Sequence, residues 1–308
     1  MIDRETRHLN LKEWREKLIS FLKKYLKPSR REKMKERLCL VVILVVWIAA
    51  SIPASAQFTA KDIVDRGQWE DFLTTAEIVA SKQLGGGVVE NAPWRLTLEK
   101  DGKRWSAVWK NPQSKPSGIA ESWKWEIVAY RLDKYLELNM VPPTVEREFQ
   151  DNRGCCQLWV TVEMDLGKKI REEIQTPTNR VISMNRAIYL QRAFDNLIAN
   201  VDRHKGNILL TKDWRLILID HSRSFGTSKK LTSELIYTEK NTAGAETMNC
   251  LPRTFVEKLK AMNPDIIQEI VEGYLTDEGI EALLMRRDLI LEEIAGLIAK
   301  YGKDNILY

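Results

Sequence analysis

The 308-residue sequence predicts an α+β fold of two lobes with a cleft between them. Two observations lead there. β-prone runs and one helical stretch fill the first half of the body, whereas the second half is helical apart from a small β insert. Composition agrees, since 44% hydrophobic and 30% charged residues suit one globular unit of two lobes or two small domains. Eight of the ten Trp lie beyond residue 60 and supply that body with large aromatic anchors.

In chain order, residues 62–82 read as a helix without chemistry. Residues 84–112 read as strands around turns, with 94–98 and 106–110 flanking Lys100-Asp101-Gly102-Lys103, a hairpin signal. Helical spacing returns over 117–137, where Ile127, Ala129, Tyr130, Leu132 and Leu136 fall mostly on one side, and Val141-Pro142-Pro143 stops it. CQLWVTVEM, residues 156–164, is strongly β-prone. A long amphipathic helix follows over 181–200, then short β runs at 208–210 and 216–219. Residues 255–259, 266–274 and 279–301 read as helices that close the domain.

Net charge is +5, but residues 1–37 hold 13 Lys/Arg against 6 Asp/Glu. The basic balance belongs to the N-terminus, so no nucleic-acid partner is expected for the body. Four Cys without a CxxC pair make neither a disulfide scaffold nor a zinc site at this length. A bond from Cys250 to Cys155 or Cys156 after export, and plain unpaired thiols, both stay open.

Asp202 precedes Asn207 by five positions, and Asp220 ends an apolar strand. Phosphoryl transfer needs such a set. One carboxylate orients the attacking hydroxyl and takes its proton, while an amide oxygen and a second carboxylate hold Mg²⁺. Upstream, Lys110 ends the strand SAVWK, and Glu126 sits in the next helix as its ion-pair partner, with Glu121 as a competitor for that place. Gly85, Gly86 and Gly87 precede the hairpin, where backbone N–H groups can approach phosphate. A triple Gly or a strand-end Lys means little alone. The ordered series of Gly turn, strand Lys, helix Glu, D-x-x-x-x-N and strand-end Asp means more.

NVDRHKGNILL (200–210) and LILIDHSRSF (216–225) resemble the catalytic and metal loops of the phosphatidylinositol 3-/4-kinase superfamily, most nearly the type II phosphatidylinositol 4-kinases. They are also similar to the four-jointed group of Golgi secretory kinases and to HipA-type kinases, which share the inverted D-R-H-like loop. The resemblance implies a two-lobed kinase-like fold, with a helical lead-in at 57–83, an N-lobe at 84–165 and a C-lobe at 166–308. It implies Asp202 as catalytic residue, Asn207 and Asp220 as ligands of Mg²⁺ (or Mn²⁺), and Lys110 with Glu126 as the ATP phosphate contact. Residues 157–165 become the hinge near adenine. The phosphoacceptor is then a protein, a lipid or another small molecule. Two departures stand: the glycines do not spell G-x-G-x-x-G, and nothing marks a lipid-head-group site.

Three other readings compete. A metal hydrolase would use His204, Asp220 and His221, but no H-E-x-x-H occurs. His204 reads better as a loop hydrogen-bonder, Arg203 as the partner of a nearby acid, and Ser222 and Ser224 as loop-capping hydroxyls. A catalytically silent scaffold and a nucleotidyl transferase both keep the same fold, and the scarcity of ATP outside a bacterial inner membrane keeps the first in play.

Residues 34–56 carry a targeting signal: Lys35 and Arg37, an apolar run over 38–50, and Ala54-Ser55-Ala56 before Gln57. The run is about 13 residues where about 20 usually span a bilayer, so a cleaved signal peptide is expected; an uncleaved anchor, lengthened by 51–56, is the alternative. Either way the basic flank stays cytoplasmic and 57–308 crosses the membrane. Met34 begins a signal of ordinary length, so 1–33 is expected to be an over-extended start. Taken at face value, Leu11, Trp14, Leu18, Leu22 and Tyr25 line one face of a Lys-rich helix suited to an anionic membrane surface. N-terminal sequencing of the exported protein is expected to begin at Gln57; an intact N-terminus would establish the anchor.

Overall fold

The structure, a computed structural model, describes residues 65–85, 92–113, 120–238 and 248–308, with Glu16 and Ser20 before them. The chain divides into two compact units, Met1–Ser55 and Ala56–Tyr308. Of the first unit only Glu16 and Ser20, both helical, are described, so the basic extension and the targeting segment at 34–56 lie outside the described residues. Among the described residues no helix is long and apolar enough to cross a membrane.

Among the described residues the second unit starts with helix α1 (Arg66–Thr75) and strand β1 (Glu77–Gln83). The helix expected over 62–82 therefore stops at Thr75, and most of its second half is strand. The reason is visible in the burial: β1 is almost wholly exposed and is held by its ladder to β2, from Glu77↔Glu99 to Gln83↔Trp94. Ladder hydrogen bonds between backbones leave no apolar periodicity to read.

Strands β2 (Trp94–Lys100) and β3 (Lys103–Lys110) form the expected hairpin. Asp101 and Gly102 at its tip have φ of 51° and 72°, the left-handed pair that a two-residue turn requires. Leu96, Leu98, Ala107 and Trp109 alternate onto the buried face. Helix α2 (Trp123–Leu136) follows, its N-terminus capped by the Ser122 hydroxyl, which accepts from Lys124 N–H at 3.2 Å. Strands β4 (Thr144–Phe149) and β5 (Asn152–Leu158) complete an antiparallel sheet in the order β1-β2-β3-β5-β4. The β-prone run at 156–164 is cut after Leu158. Trp159 N–H still donates to Ser106 O, and the chain then leaves the sheet toward β6 (Met164–Asp165).

The C-lobe holds a small sheet of β6, β7 (Ile208–Leu210) and β8 (Leu216–Leu218). Around it lie helices α3 (Leu166–Arg171), α4 (Val181–Ile198), α5 (Lys229–Ser233), α6 (Arg253–Ala261), α7 (Pro264–Val271), α8 (Asp277–Tyr301) and α9 (Lys303–Ile306). Phe194 and Leu197 of α4 share one buried cluster with Leu283, Ile290 and Ile294 of α8. Arg286 of α8 is buried in that core, where it donates to Leu197 O at 2.8 Å and Gly226 O at 2.9 Å. Burial pushes its pKa down to about 10.

Gly154 lets β5 pass close to β3. A Cβ there would stand 2.5 Å from Lys110 O and 2.7 Å from the Trp109 ring. Gly154→Ala is expected to cost about 1–3 kcal/mol in urea denaturation, the range for an overpacked core.

Candidate active site

Trp109 of β3 turns into the N-lobe core, and the next residue, Lys110, turns to the cleft. Its Nζ lies 2.8 Å from Glu126 Oε1 in the first turn of α2, and 3.3 Å from Asp220 Oδ1 beyond β8. The Glu126 side chain is 1% exposed, that of Lys110 12%. Burial by itself would drive the lysine pKa down, but the charges of Glu126 and then Asp220 outweigh it and hold the ammonium well above its ordinary range. Burial would likewise raise Glu126, yet Lys110 and the His221 hydrogen bond keep the carboxylate well below its usual range. His221 Nδ1 lies 3.4 Å from Glu126 Oε2, and burial pushes the ring's pKa below its ordinary value. Of the two acids that compete for Lys110, Glu126 stands beside it, whereas Glu121 meets Arg223.

The D-x-x-x-x-N loop follows a left-handed cap at Ala199, φ 49°, which ends α4. Asn200 Oδ1 accepts from Asp202 N–H at 3.0 Å. Arg203 turns inward and forks onto Asp195 of α4, with Nε 3.0 Å from Oδ2 and Nη2 3.1 Å from Oδ1. Its Nη1 donates to Asn207 O at 3.0 Å and Ile219 O at 2.6 Å. One buried guanidinium thus sets Asn207 beside the residue that precedes Asp220. Asn207 Nδ2 donates to Asp202 O at 3.3 Å, which leaves its Oδ1 as an acceptor. His204 Nδ1 accepts from Gly206 N–H at 3.1 Å within the same turn.

Asp220 has φ 61°, a left-handed conformation that Asp tolerates better than most residues. From it the chain makes a row of contacts with the N-lobe. Asp220 meets Lys110, His221 meets Glu126, Ser222 O accepts from Ser122 N–H at 2.9 Å, and Arg223 Nε donates to Glu121. Arg223 Nη1 also reaches Asp202 Oδ2 at 3.2 Å. The capping expected of the serine hydroxyls is not what holds this loop: Ser224 N–H donates to His221 O, while Ser224 Oγ is buried without a partner.

A cavity of about 290 Å³ ends on Lys110 and Asp220 and is walled mainly by Leu84, Val108, Val160, Val162, Leu209 and Ile219, with Gln157 and Leu158 on the segment expected as a hinge. Gly85 follows Leu84 with φ 98°, and nothing lies within 4 Å of where its Cβ would be; Gly86 and Gly87 lie outside the described residues. The lining is mostly apolar, and the Lys110 ammonium and the Asp220 carboxylate stand together within it. The hydrolase grouping is not formed, because His221 points to Glu126 and His204 stays in its turn. Among the described residues no three His, Cys, Asp or Glu gather as a metal site. Cys155, Cys156 and Cys250 are free thiols, and burial pushes Cys156 up to about 12.

Arg223 and Asp195 escaped the sequence reading. Asp195 had a signal, a carboxylate on the apolar face of an amphipathic helix seven residues before Asp202. Arg223 had none, since neither partner is near it in sequence.

No protein-family model matches the chain, and no curated protein matches it significantly. Among solved structures it is similar to the crystal structure of the Golgi casein kinase, with a TM-score of 0.55 at 15% identity over 79% of this chain and 77% of that one. A Helicobacter pylori proinflammatory kinase, CtkA, matches with a TM-score of 0.41 at 14% identity over 75% and 96%. The first likeness shows an atypical kinase-like fold. It does not single out the phosphatidylinositol 3-/4-kinase superfamily that the loops suggested.

Folding lowers the pKa of Glu126, so the stabilisation it brings is complete above the ordinary value of 4.5 and is lost as pH falls through the lower folded value. Glu126→Gln strands a buried lysine and is expected to cost about 3 kcal/mol at pH 7. Denaturation at descending pH should show the gap to wild type beginning to narrow near 4.5 and closing as pH reaches the lower folded value.

Proposed function

We propose that the chain is an atypical ATP-dependent kinase that transfers the γ-phosphoryl group to a hydroxyl of a protein, a lipid or another small molecule. The observation that carries this is the meeting of Lys110, Glu126 and Asp220 at the charged end of an apolar slot, beside the loop of Asp202 and Asn207. The wording of that loop and of LILIDHSRSF supports a place near the phosphatidylinositol kinases within the atypical kinases. The targeting signal at 34–56 supports delivery across a membrane, and the fold likeness to a Golgi kinase is in keeping with it.

In this reading Leu84, Val108, Val160 and Leu209 enclose the adenine, and the segment from Gln157 borders its edge. Lys110, fixed by Glu126, orients the α- and β-phosphates. Asn207 Oδ1 and the Asp220 carboxylate are the hard oxygen donors that suit Mg²⁺, or Mn²⁺, which when bound neutralises charge on the phosphates. Asp202 accepts the hydrogen bond of the acceptor hydroxyl and takes its proton as that oxygen attacks. Lys110 and the Arg203–Asp195 fork are themselves fixed in the protein interior, so little reorganisation is left to them as charge develops.

Purified protein is expected to turn over Mg²⁺-ATP, and Asp202→Ala and Asp220→Ala each to lose at least about 100-fold, the lower end of what a positioned proton acceptor contributes. Wild-type rates in both variants would sink the reading. A product heavier by a nucleotidyl group instead of a phosphoryl group, read by mass spectrometry, would reassign the reaction to nucleotidyl transfer.

A further inference from the structure

Glu121 stands just before the N-cap of α2 in the N-lobe, and Asp202 lies in the loop after α4 in the C-lobe. Arg223 touches both. Its Nε donates to Glu121 Oε1 while Nη1 lies 3.2 Å from Asp202 Oδ2. A single planar group therefore ties the acid that would receive the acceptor's proton to the start of the helix that carries Glu126. We infer that Arg223 is a positioning residue for phosphoryl transfer, setting the plane of the Asp202 carboxylate and linking it to the seat of α2. This rests on the kinase reading above.

Three physical points support it. A guanidinium holds two carboxylates at fixed angles because its N–H donors are coplanar, which an ammonium cannot do. The contact engages one oxygen of Asp202, so a carboxylate otherwise free to rotate about its bond to Cβ is held with its second oxygen defined relative to the cleft. Finally, Arg223 and Asp202 are each 37% exposed at their side chains, and ion pairs so open to water add little to stability. The Glu121 side of the bridge is better buried, 16% exposed, and anchors the guanidinium, so the open contact to Asp202 acts through geometry. The neighbouring contacts, from Ser222 O and His221 to α2, keep the loop in place when Arg223 is replaced, so the variant is expected to fold.

The test compares wild type with Arg223→Gln, Arg223→Lys, Glu121→Gln and the Arg223→Gln/Glu121→Gln pair. Turnover, KM for ATP, nucleotide affinity by direct titration with a non-hydrolysable analogue, melting temperature and amide exchange over 121–126 are measured for each. Arg223→Gln is expected to lower kcat by about 30–100-fold, as a small misplacement of a reacting group does. KM and nucleotide affinity stay within about threefold of wild type, melting temperature is unchanged, and amides 121–126 exchange faster. Arg223→Lys stays slow because charge without the fork does not restore the geometry. Glu121→Gln lowers kcat less and adds nothing in the double variant, since both act through one bridge. An unchanged or raised kcat in Arg223→Gln overturns the inference. A loss matched by weaker nucleotide binding or a lower melting temperature reduces Arg223 to a structural role and overturns it as well. Wild type without Mg²⁺-ATP turnover defeats the kinase reading itself and the inference with it, a result separable from an active wild type with an indifferent Arg223→Gln.

Discussion

An ammonium group set at the back of a cleft must be answered by carboxylates, and the whole site is arranged around the answer to Lys110. Removing Lys110 and Glu126 from water costs each several kcal/mol, which their attraction offsets only in good geometry. The 2.8 Å contact supplies that geometry, and His221 adds a hydrogen bond to the second carboxylate oxygen. Because Glu126 sits one turn into α2, the pair also decides where that helix rests against the sheet. Asp220, the second acid near Lys110, brings the end of the small C-lobe sheet to the same point. Sheet, helix and the Asp220 loop thus meet at one ammonium group, and moving any of them lengthens a contact to a charged partner.

The C-lobe side of the cleft is built on a second buried pair. Arg203 and Asp195 have side chains 1% and 0% exposed, and the guanidinium spends its remaining donor on the carbonyls of Asn207 and Ile219. Two segments that lie apart in sequence become one platform. Arg286 repeats the device from below by bonding the end of α4 and the carbonyl of Gly226. Left-handed backbone at Ala199, Asp220 and Phe225 marks where the chain bends to meet these donors. Such conformations cost energy at residues other than glycine and persist only where surrounding contacts over-determine them.

Much of the fold was legible because it is written in apolar periodicity. The β2–β3 hairpin, helices α2 and α4, the β7–β8 insert and the closing helices all bury one face, and burial leaves a pattern. Strands β1 and β4 were hidden for the opposite reason: EIVASKQ is exposed and TVEREF is mostly half-buried and charged, so what holds them is their place beside β2 and β5. The long run at 156–164 hid a change of direction, because residues that line a cavity are as apolar as residues in a sheet.

The residues of the candidate site were legible in the chain: a carboxylate five residues before an amide, another at a strand end, and a lysine ending a strand. Local order sufficed there, since Asp202 and Asn207 share one turn whatever surrounds it. The sequence points to Glu126 for Lys110, with Glu121 as competitor, and to an acid for Arg203; that this acid is Asp195, and that Arg223 joins Glu121 to Asp202, only the tertiary structure decided. Glu121 lost the competition because helix α2 begins at Trp123. That start puts Glu126 one turn inside, facing Lys110, and leaves Glu121 outside, facing Arg223. Residues 16 apart and 110 apart converge on one ammonium because the lobes fold over a buried charge, a constraint that acts through space and leaves no period in the chain.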